Sequence, residues 1–386
     1  MQATPKSAIR FIVALGLISL FADVTYEGAR SIIGPFLGSL GASAFIVGFV
    51  AGLGEMVGYV LRLASGYIAD KTRSYWALTI AGYALNLVAV PLLALAGSWQ
   101  LAALMIVLER TGKAIRTPSR DVMLSHAAKT VGRGWGFGLH EAMDQTGAFL
   151  GPLVVAAVLA ASHQYARAFL VLAIPAALAI ITMLTARTFY PNPTEFETKS
   201  VELTTSGLPR SFWIYLVAAG LLAAGFADFP LMAYHLQNAK LASDAVIPVV
   251  YAVAMGIEAI TALISGKLFD RIGIAVLIGG VLLSAASTPF VFLGGFKAAL
   301  TGVALWGAGM GAQQALLRAA IANMVPVERR GAAYGIFNTA YGLLWFAGSA
   351  AMGALYGVSR PGLVAFAIAA QLCAIPLLLF VKEKVH

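Results

Sequence analysis

"SGYIADKTR", Ser65–Arg73, returns two hundred residues later as "SGKLFDRIG", Ser265–Gly273. In both copies a glycine is followed four positions on by aspartate and then by a cation: Gly66, Asp70 and Lys71 in the first, Gly266, Asp270 and Arg271 in the second. Both copies close a long apolar run. "FAD" at 21–23 likewise returns at 226–228, near the same point of each half. The paired stretches read as an internal duplication, and duplicated six-helix halves enclosing a midplane site are one way in which membrane carriers are built.

The composition around these copies agrees. Of 386 residues, 60% are hydrophobic and only 11% charged, whereas a soluble domain holds about 45–50% apolar and about 25% charged residues. The chain is therefore read as an all-α, polytopic membrane protein. A bilayer core needs about 20 residues per helix. Twelve apolar stretches are long enough: 11–38, 43–69, 75–97, 99–125, 134–161, 165–188, 211–238, 245–269, 274–295, 298–324, 331–357 and 361–381. One long polar stretch interrupts them, "YPNPTEFETKSVELTTSGLPR" at 190–210, with no apolar period. It divides the chain into an N-terminal six-helix bundle (1–189), a linker (190–210) and a C-terminal six-helix bundle (211–386). The lone cysteine, Cys373, sits inside an apolar run and reads as packing, so neither a disulfide framework nor a cysteine-based metal site is expected. The N-terminal segment shows no small-residue cleavage site, and the first helix is expected to be retained.

Lysine and arginine in the loops orient the chain. With the N-terminus inside, fifteen of them fall on the cytoplasmic side, among them Lys6, Arg10, Lys71, Arg73, Lys129, Arg133, Arg187, Lys267, Arg271, Arg329 and Arg330, against Arg167, Lys240, Lys297 and Arg360 outside. The positive-inside rule then places both termini and the linker in the cytoplasm. The net charge of +9 follows from this topology. Because the cations are dispersed over short loops, no nucleic-acid partner is expected. The short loops suit a multi-pass protein of a cell inner membrane, surrounded by lipid and monomeric.

The twelve spans, the cytoplasmic linker and the paired G-x-x-x-D-[KR] turns resemble the major facilitator superfamily. "GAFLGP", Gly147–Pro152, is similar to the G-x-x-x-G-P element of its proton-coupled drug antiporters. The resemblance implies a rocker-switch carrier with helices 1, 4, 7 and 10 lining the cavity and helices 3, 6, 9 and 12 facing lipid. It also implies gating by the turns Gly66, Asp70, Lys71, Arg73 and Gly266, Asp270, Arg271. The sequence departs from the family pattern in three places. Arg73 stands where the family usually has glycine, "RIGIAV" lacks the usual basic run, and Arg110 is followed by Gly112 rather than by the antiporter motif R-x-x-Q-G.

The fourth span, "LERTGKAIRTPSRDVML" at 108–124, concentrates charge. Glu109, Lys113, Arg116 and Arg120 are spaced i, i+4, i+7 and i+11, along one helical face. A charge at membrane depth costs about 2.5–3.5 kcal/mol on insertion scales, so this face is expected to meet the bundle interior and to pair. Partners are at hand: Asp23, Glu27 and Arg30 lie on one face of the first span, and "GLHEAMDQTG" sets His140 and Asp144 one turn apart in the fifth. Within the first six spans stand the acids Asp23, Glu27, Glu55, Glu109, Asp121, Glu141 and Asp144 and the bases Arg30, Arg62, Arg110, Lys113, Arg116 and Arg120. The second half is mostly neutral, with Asp228, Gln313, Gln314, Arg318, Asn338 and Tyr341 as its candidate recognition groups.

These observations point to a secondary transporter, not an enzyme. No G-x-x-x-x-G-K-[ST] phosphate loop is present, so a gradient must supply the energy. "HEAMD" begins like a zinc motif but has Asp at position 144 and no third ligand, so no metal and no cofactor are expected. An acid whose basic neighbour moves during alternating access can load and release a proton; the candidates are Asp23, Glu27, Glu141 and Asp144. Arg30, Glu109, Arg110, Lys113, Arg116 and His140 are candidates for holding a small-molecule substrate. The expectation is export of a small organic compound in exchange for protons; the alternative is a symporter or facilitator that takes up a small organic anion. Seven acids against six bases leave the solute's charge open.

Overall fold

A computed structural model describes residues 5–191, 207–326 and 329–381. Residues 192–206 of the predicted linker and the predicted cytoplasmic cations Lys199, Lys382 and Lys384 lie outside the described residues. Every long element among those described is helical: α1 (Pro5–Arg30), α2 (Ile33–Ser39), α3 (Ala44–Thr72), α4 (Tyr75–Leu92), α5 (Trp99–Val131), α6 (Arg133–Ser162), α7 (Tyr165–Val171), α8 (Ala173–Phe189), α9 (Arg210–Gly225), α10 (Phe229–Asn238), α11 (Val246–Ile272), α12 (Ala275–Leu293), α13 (Phe296–Met324), α14 (Arg330–Val358) and α15 (Arg360–Leu379). Ten stretches are long and apolar enough to cross a membrane. The two remaining spans, α5 with 33 residues and α13 with 29, have the length but carry more polar side chains.

Three predicted spans are not continuous. The first divides into α1 and α2 at Ser31–Ile32, the sixth into α7 and α8 at Leu172, and the seventh into α9 and α10 at Phe226–Asp228. A proline follows each break at Pro35, Pro175 and Pro230. Its ring lacks an N–H and collides with the carbonyl four residues back, namely Ser31, Val171 and Phe226. Proline alone is not sufficient, since Pro118 and Pro152 lie within helices that continue. Around the seventh-span break the exposed carbonyls find other donors: Trp306 Nε1 donates to Ala227 O at 2.8 Å and Gln371 Nε2 to Gly225 O at 2.9 Å.

The described residues form two compact units. One runs through Ile32 and resumes at Leu61; the other takes Ile33–Val60 together with the second half of the chain. In the first unit α1 packs against α6, α8 and α5, and α4 against α5. Gly147 and Gly151 of α6 lie against the backbone of Leu20 and Val24. Gly82 of α4 and Gly112 of α5 face each other, with no room for a side chain at either. In the second unit α13 packs on α11 and α12, and α9 on α14 and α15. Residues 33–60, which lie in the first bundle when the chain is divided at the linker, pack in this unit through glycines. Gly34 meets Pro230, and Gly48 and Gly52 meet Ser349 on α14.

The duplicated turns match in detail. Burial runs in the same order, residue by residue, over 61–70 and 261–270. The N–H of Arg73 bonds Ala69 O and that of Gly273 bonds Phe269 O, both at 2.8 Å, and both residues have positive φ, 54° and 60°. Only glycine takes such a conformation without steric cost, so Arg73 occupies a position whose geometry explains the family's glycine.

Candidate functional site

The charged stripe of α5 is buried in the first unit, where three of its four cations can be followed to an acid. Arg110 Nε lies 3.1 Å from Glu109 Oε2. Glu109 in turn accepts from Asn86 Nδ2 on α4, at 2.7 Å through Oε1 and 3.1 Å through its carbonyl. One turn on, Lys113 Nζ stands 3.8 Å from Glu27 Oε1 and 3.9 Å above the Tyr26 ring. Arg120 donates to Asp121 Oδ1 from Nε at 3.0 Å and Nη2 at 2.8 Å, and from Nη1 to Ser19 Oγ at 3.1 Å, with Asp144 Oδ2 at 3.7 Å.

Arg116 differs from these three. It is 1% exposed, its guanidinium lies 4.2 Å above the Tyr83 ring and 5.7 Å from that of Tyr26, and Nε and Nη1 have no hydrogen-bond partner among the described residues.

Two acids face this stripe. Asp23 is 5% exposed, within electrostatic reach of Asp144, Lys113 and Arg116, and its Oδ1 has no donor among the described residues. Asp144 is half-buried; its Oδ2 stands 3.8 Å from His140 Nδ1, and its Oδ1 also has no donor there. Ser19 joins the network at its centre, sharing hydrogen bonds with His140 Nε2 at 3.1 Å, Tyr83 OH at 3.2 Å and Arg120.

The structure therefore brings together Asp23, Glu27, Glu109, Arg110, Lys113, Arg116, His140 and Asp144. Glu141 is outside this group: it lies on an exposed face, where Gln145 Nε2 donates to it at 3.1 Å. Arg30 ends α1, half-buried. In the second unit Asp228, 1% exposed at the break of the seventh span, accepts from Trp345 Nε1 at 2.9 Å and Ser349 Oγ at 2.6 Å. Gln313 donates to Ser284 Oγ at 3.0 Å, and Ser284 bonds Gln371, so Gln313 belongs to the chain of polar groups that supports the α9 terminus. Tyr341 is buried against Phe337, Trp345 and Tyr59, and Asn338 is half-buried. Gln314 and Arg318 are exposed. Of the turn residues, Asp70, Lys71, Arg73, Asp270 and Arg271 are exposed, and Gly66 and Gly266 are half-buried.

A search for charge passes over Ser19, Tyr83 and Asn86. The third span contributes two of them, although the family pattern assigns it to lipid. The close crossing at Gly82 and Gly112 admits α4 to the cluster. A lone asparagine in "AGYALNLVAV" is the signal that could have found it.

A bundle of long apolar helices around buried ion pairs defines a polytopic membrane carrier. The model of the Major Facilitator Superfamily matches residues 15–349 and 229–385, and this chain belongs to that family, whose members are transporters rather than enzymes. An uncharacterized protein of Mycobacterium tuberculosis is 42% identical over 383 residues, covering 97% of this chain and 94% of its own. An uncharacterized MFS-type transporter of Methanocaldococcus jannaschii is 26% identical, covering 90% and 89%. Among solved structures, the nucleoside transporter NupG aligns with a TM-score of 0.74 at 13% identity, covering 96% of this chain and 97% of its own. A POT family transporter in complex with 5-aminolevulinic acid aligns at 0.75 and 14%, covering 96% and 95%. The chain is thus a multi-pass membrane protein and a secondary transporter by general kind.

Proposed function

We propose that this transporter is proton-coupled and moves a small organic compound, with Asp23 and Asp144 as the groups that take up and release the proton. One observation carries this reading. Two carboxyl groups share one buried network, each with an oxygen lacking a donor among the described residues, and Arg116, Arg120, Lys113 and His140 surround them. Small movements of those cations change the balance between the charged and neutral acid.

Exchange, and hence export, is supported by the position of the G-x-x-x-G-P element. Gly147 meets the Cβ of Asp23 as well as Leu20 O, so sliding of α6 along α1 alters the setting of that acid directly. Symport of an organic anion is the second reading, supported by the guanidinium of Arg116, whose Nε and Nη1 have no hydrogen-bond partner among the described residues. In either case the halves 1–189 and 211–386 rock about the solute, gated by the Asp70 and Asp270 turns, in a monomer of the inner membrane with both termini cytoplasmic. The second half contributes mainly neutral contacts, such as Asn338 and Tyr341.

The test is flux in proteoliposomes under an imposed pH gradient. Asp23→Asn and Asp144→Asn are expected to abolish pH-driven transport while solute binding persists. Full pH-driven transport by both variants would overturn the proposal.

A further inference from the structure

The α5 stripe holds four cations in succession, and three have acids: Glu109 for Arg110, Glu27 for Lys113, and Asp121 with Asp144 for Arg120. Arg116, the most deeply buried of the four, has none within ion-pair distance among the described residues. An arginine taken out of water needs both a counter-charge and acceptors for its N–H groups. Aromatic faces stabilise its charge but accept none of its in-plane donors, and in-plane donors are what a carboxylate or phosphate engages. Lys113 stands one turn away over the same Tyr26 ring, held by a 3.8 Å pair that is long for a charged hydrogen bond. An anion placed at Arg116 therefore meets a second cation without breaking a short ion pair.

We infer that Arg116, assisted by Lys113 and flanked by Tyr26 and Tyr83, binds an anionic group of the transported solute, a carboxylate or a phosphate. This deepens the second of the two readings above, symport of an organic anion, by naming the group that holds the anion, and it rests on the same buried cluster. Asp23 is the internal competitor: ionised, it shares the field of Arg116 and Lys113; protonated, it leaves that field to the solute. Anion and proton then bind together, which selects symport over exchange. The groups acting on Asp23 are Lys113 and Arg116 from α5, Asp144 from α6 and Tyr26 on its own helix; behind them Arg120 and His140 stand beside Asp144, Tyr83 bonds Ser19 and Glu27 pairs with Lys113, while the buried residues of α8 are uncharged.

The experiment measures thermal stabilisation of the purified full-length protein at about pH 6 and about pH 8. The probes are inorganic phosphate, sulfate, mono- and dicarboxylates, matched organic cations and neutral solutes, and micelles doped with phosphatidylglycerol. A soluble anion is expected to stabilise the wild type. Arg116→Gln should weaken its binding by about tenfold or more, the order expected for losing a charged hydrogen bond. Arg116→Lys and Lys113→Gln should weaken it less, and Arg167→Gln, on the exposed face of the short helix α7, should not change it. Stabilisation by cations or neutral solutes alone, by the anionic lipid alone, or by anions equally in wild type and the Arg116 and Lys113 variants would overturn the inference. Should Arg116→Gln fail to fold, Lys113→Gln and the wild-type selectivity still decide. The two proposals fail separately. Arg116-dependent anion binding that ignores pH and Asp23→Asn refutes proton coupling but keeps the anion site. Binding that depends on pH and Asp23, but is unaffected by Arg116→Gln, does the reverse.

Discussion

Gly112→Ala tests how the cluster is held. A Cβ at position 112 would lie 2.6 Å from Gly82 O and 2.8 Å from the Asn86 Cα. Both are backbone atoms, so no side chain can swing aside, and α4 and α5 must separate by about 0.7–1 Å to restore normal contact. Overpacking of this kind costs about 1–3 kcal/mol. The same displacement stretches the bonds of 2.7 and 3.1 Å from Asn86 Nδ2 to Glu109 beyond hydrogen-bonding range. Their loss adds about 2–4 kcal/mol, one acceptor being charged. A total of about 3–7 kcal/mol lowers the melting temperature by at least about 6 °C, taking 2–4 °C per kcal/mol for a domain-sized unit. The assay is thermal unfolding in detergent, with Gly138→Ala as control, because a side chain there meets nothing within 4 Å. Since Gly82→Ala opens the same crossing, the double variant should cost little more than the worse single one. A melting temperature within about 1 °C of wild type for Gly112→Ala, or full additivity in the double variant, would refute the crossing as the element that positions Asn86 and Arg116.

Two further predictions concern the second repeat. Exchanging the turn residues should be asymmetric: Gly273→Arg places a side chain at φ 60° and ψ −139°, a region left almost entirely to glycine, and should destabilise by about 1–3 kcal/mol. Arg73→Gly relieves a positive φ and should cost less than about 0.5 kcal/mol or stabilise; equal losses in both would contradict the conformational account. Asp228→Ala leaves Trp345 Nε1 and Ser349 Oγ buried without that acceptor, and at about 1–3 kcal/mol each should lower stability by about 2–6 kcal/mol in the same unfolding assay. An unchanged melting temperature would mean that the seventh-span break is not held by this carboxylate.

The twelve spans and the charged face of α5 were legible because both depend on quantities that sequence carries directly: length, hydropathy and the helical period. The helix breaks were not. Pro35 and Pro230 sit inside stretches of membrane-spanning length, and hydropathy does not register a missing N–H. Nor does proline decide alone, as the unbroken helices at Pro118 and Pro152 show. Glu141 illustrates the limit of stripe arguments. It neighbours His140 in sequence, but one residue turns a helix by about 100°, enough to carry it from the buried network to an exposed face. Tyr83 and Asn86 escaped because only the Gly82–Gly112 approach, a tertiary fact, brings an uncharged span to the charges.

The duplicated "FAD" then shows why similar halves need not share chemistry. Asp228 falls at a break between helices, where Trp345 and Ser349 donate to its two oxygens. Asp23 falls within the unbroken α1, where no donor among the described residues reaches Oδ1 and where the nearest counter-charges belong to a stripe whose Arg116 has no acid partner among those residues. A carboxylate saturated by neutral donors is fixed in one state, since any change in its charge strands those donors. A carboxyl with an unsatisfied oxygen beside buried cations can change its charge without stranding a donor there, which is the property a proposed proton carrier needs. The same three letters thus brace the scaffold in the second unit and set the charge balance in the first. That division, more than the overall count of acids and bases, supports the proposal that the coupling chemistry lies on α1, α5 and α6.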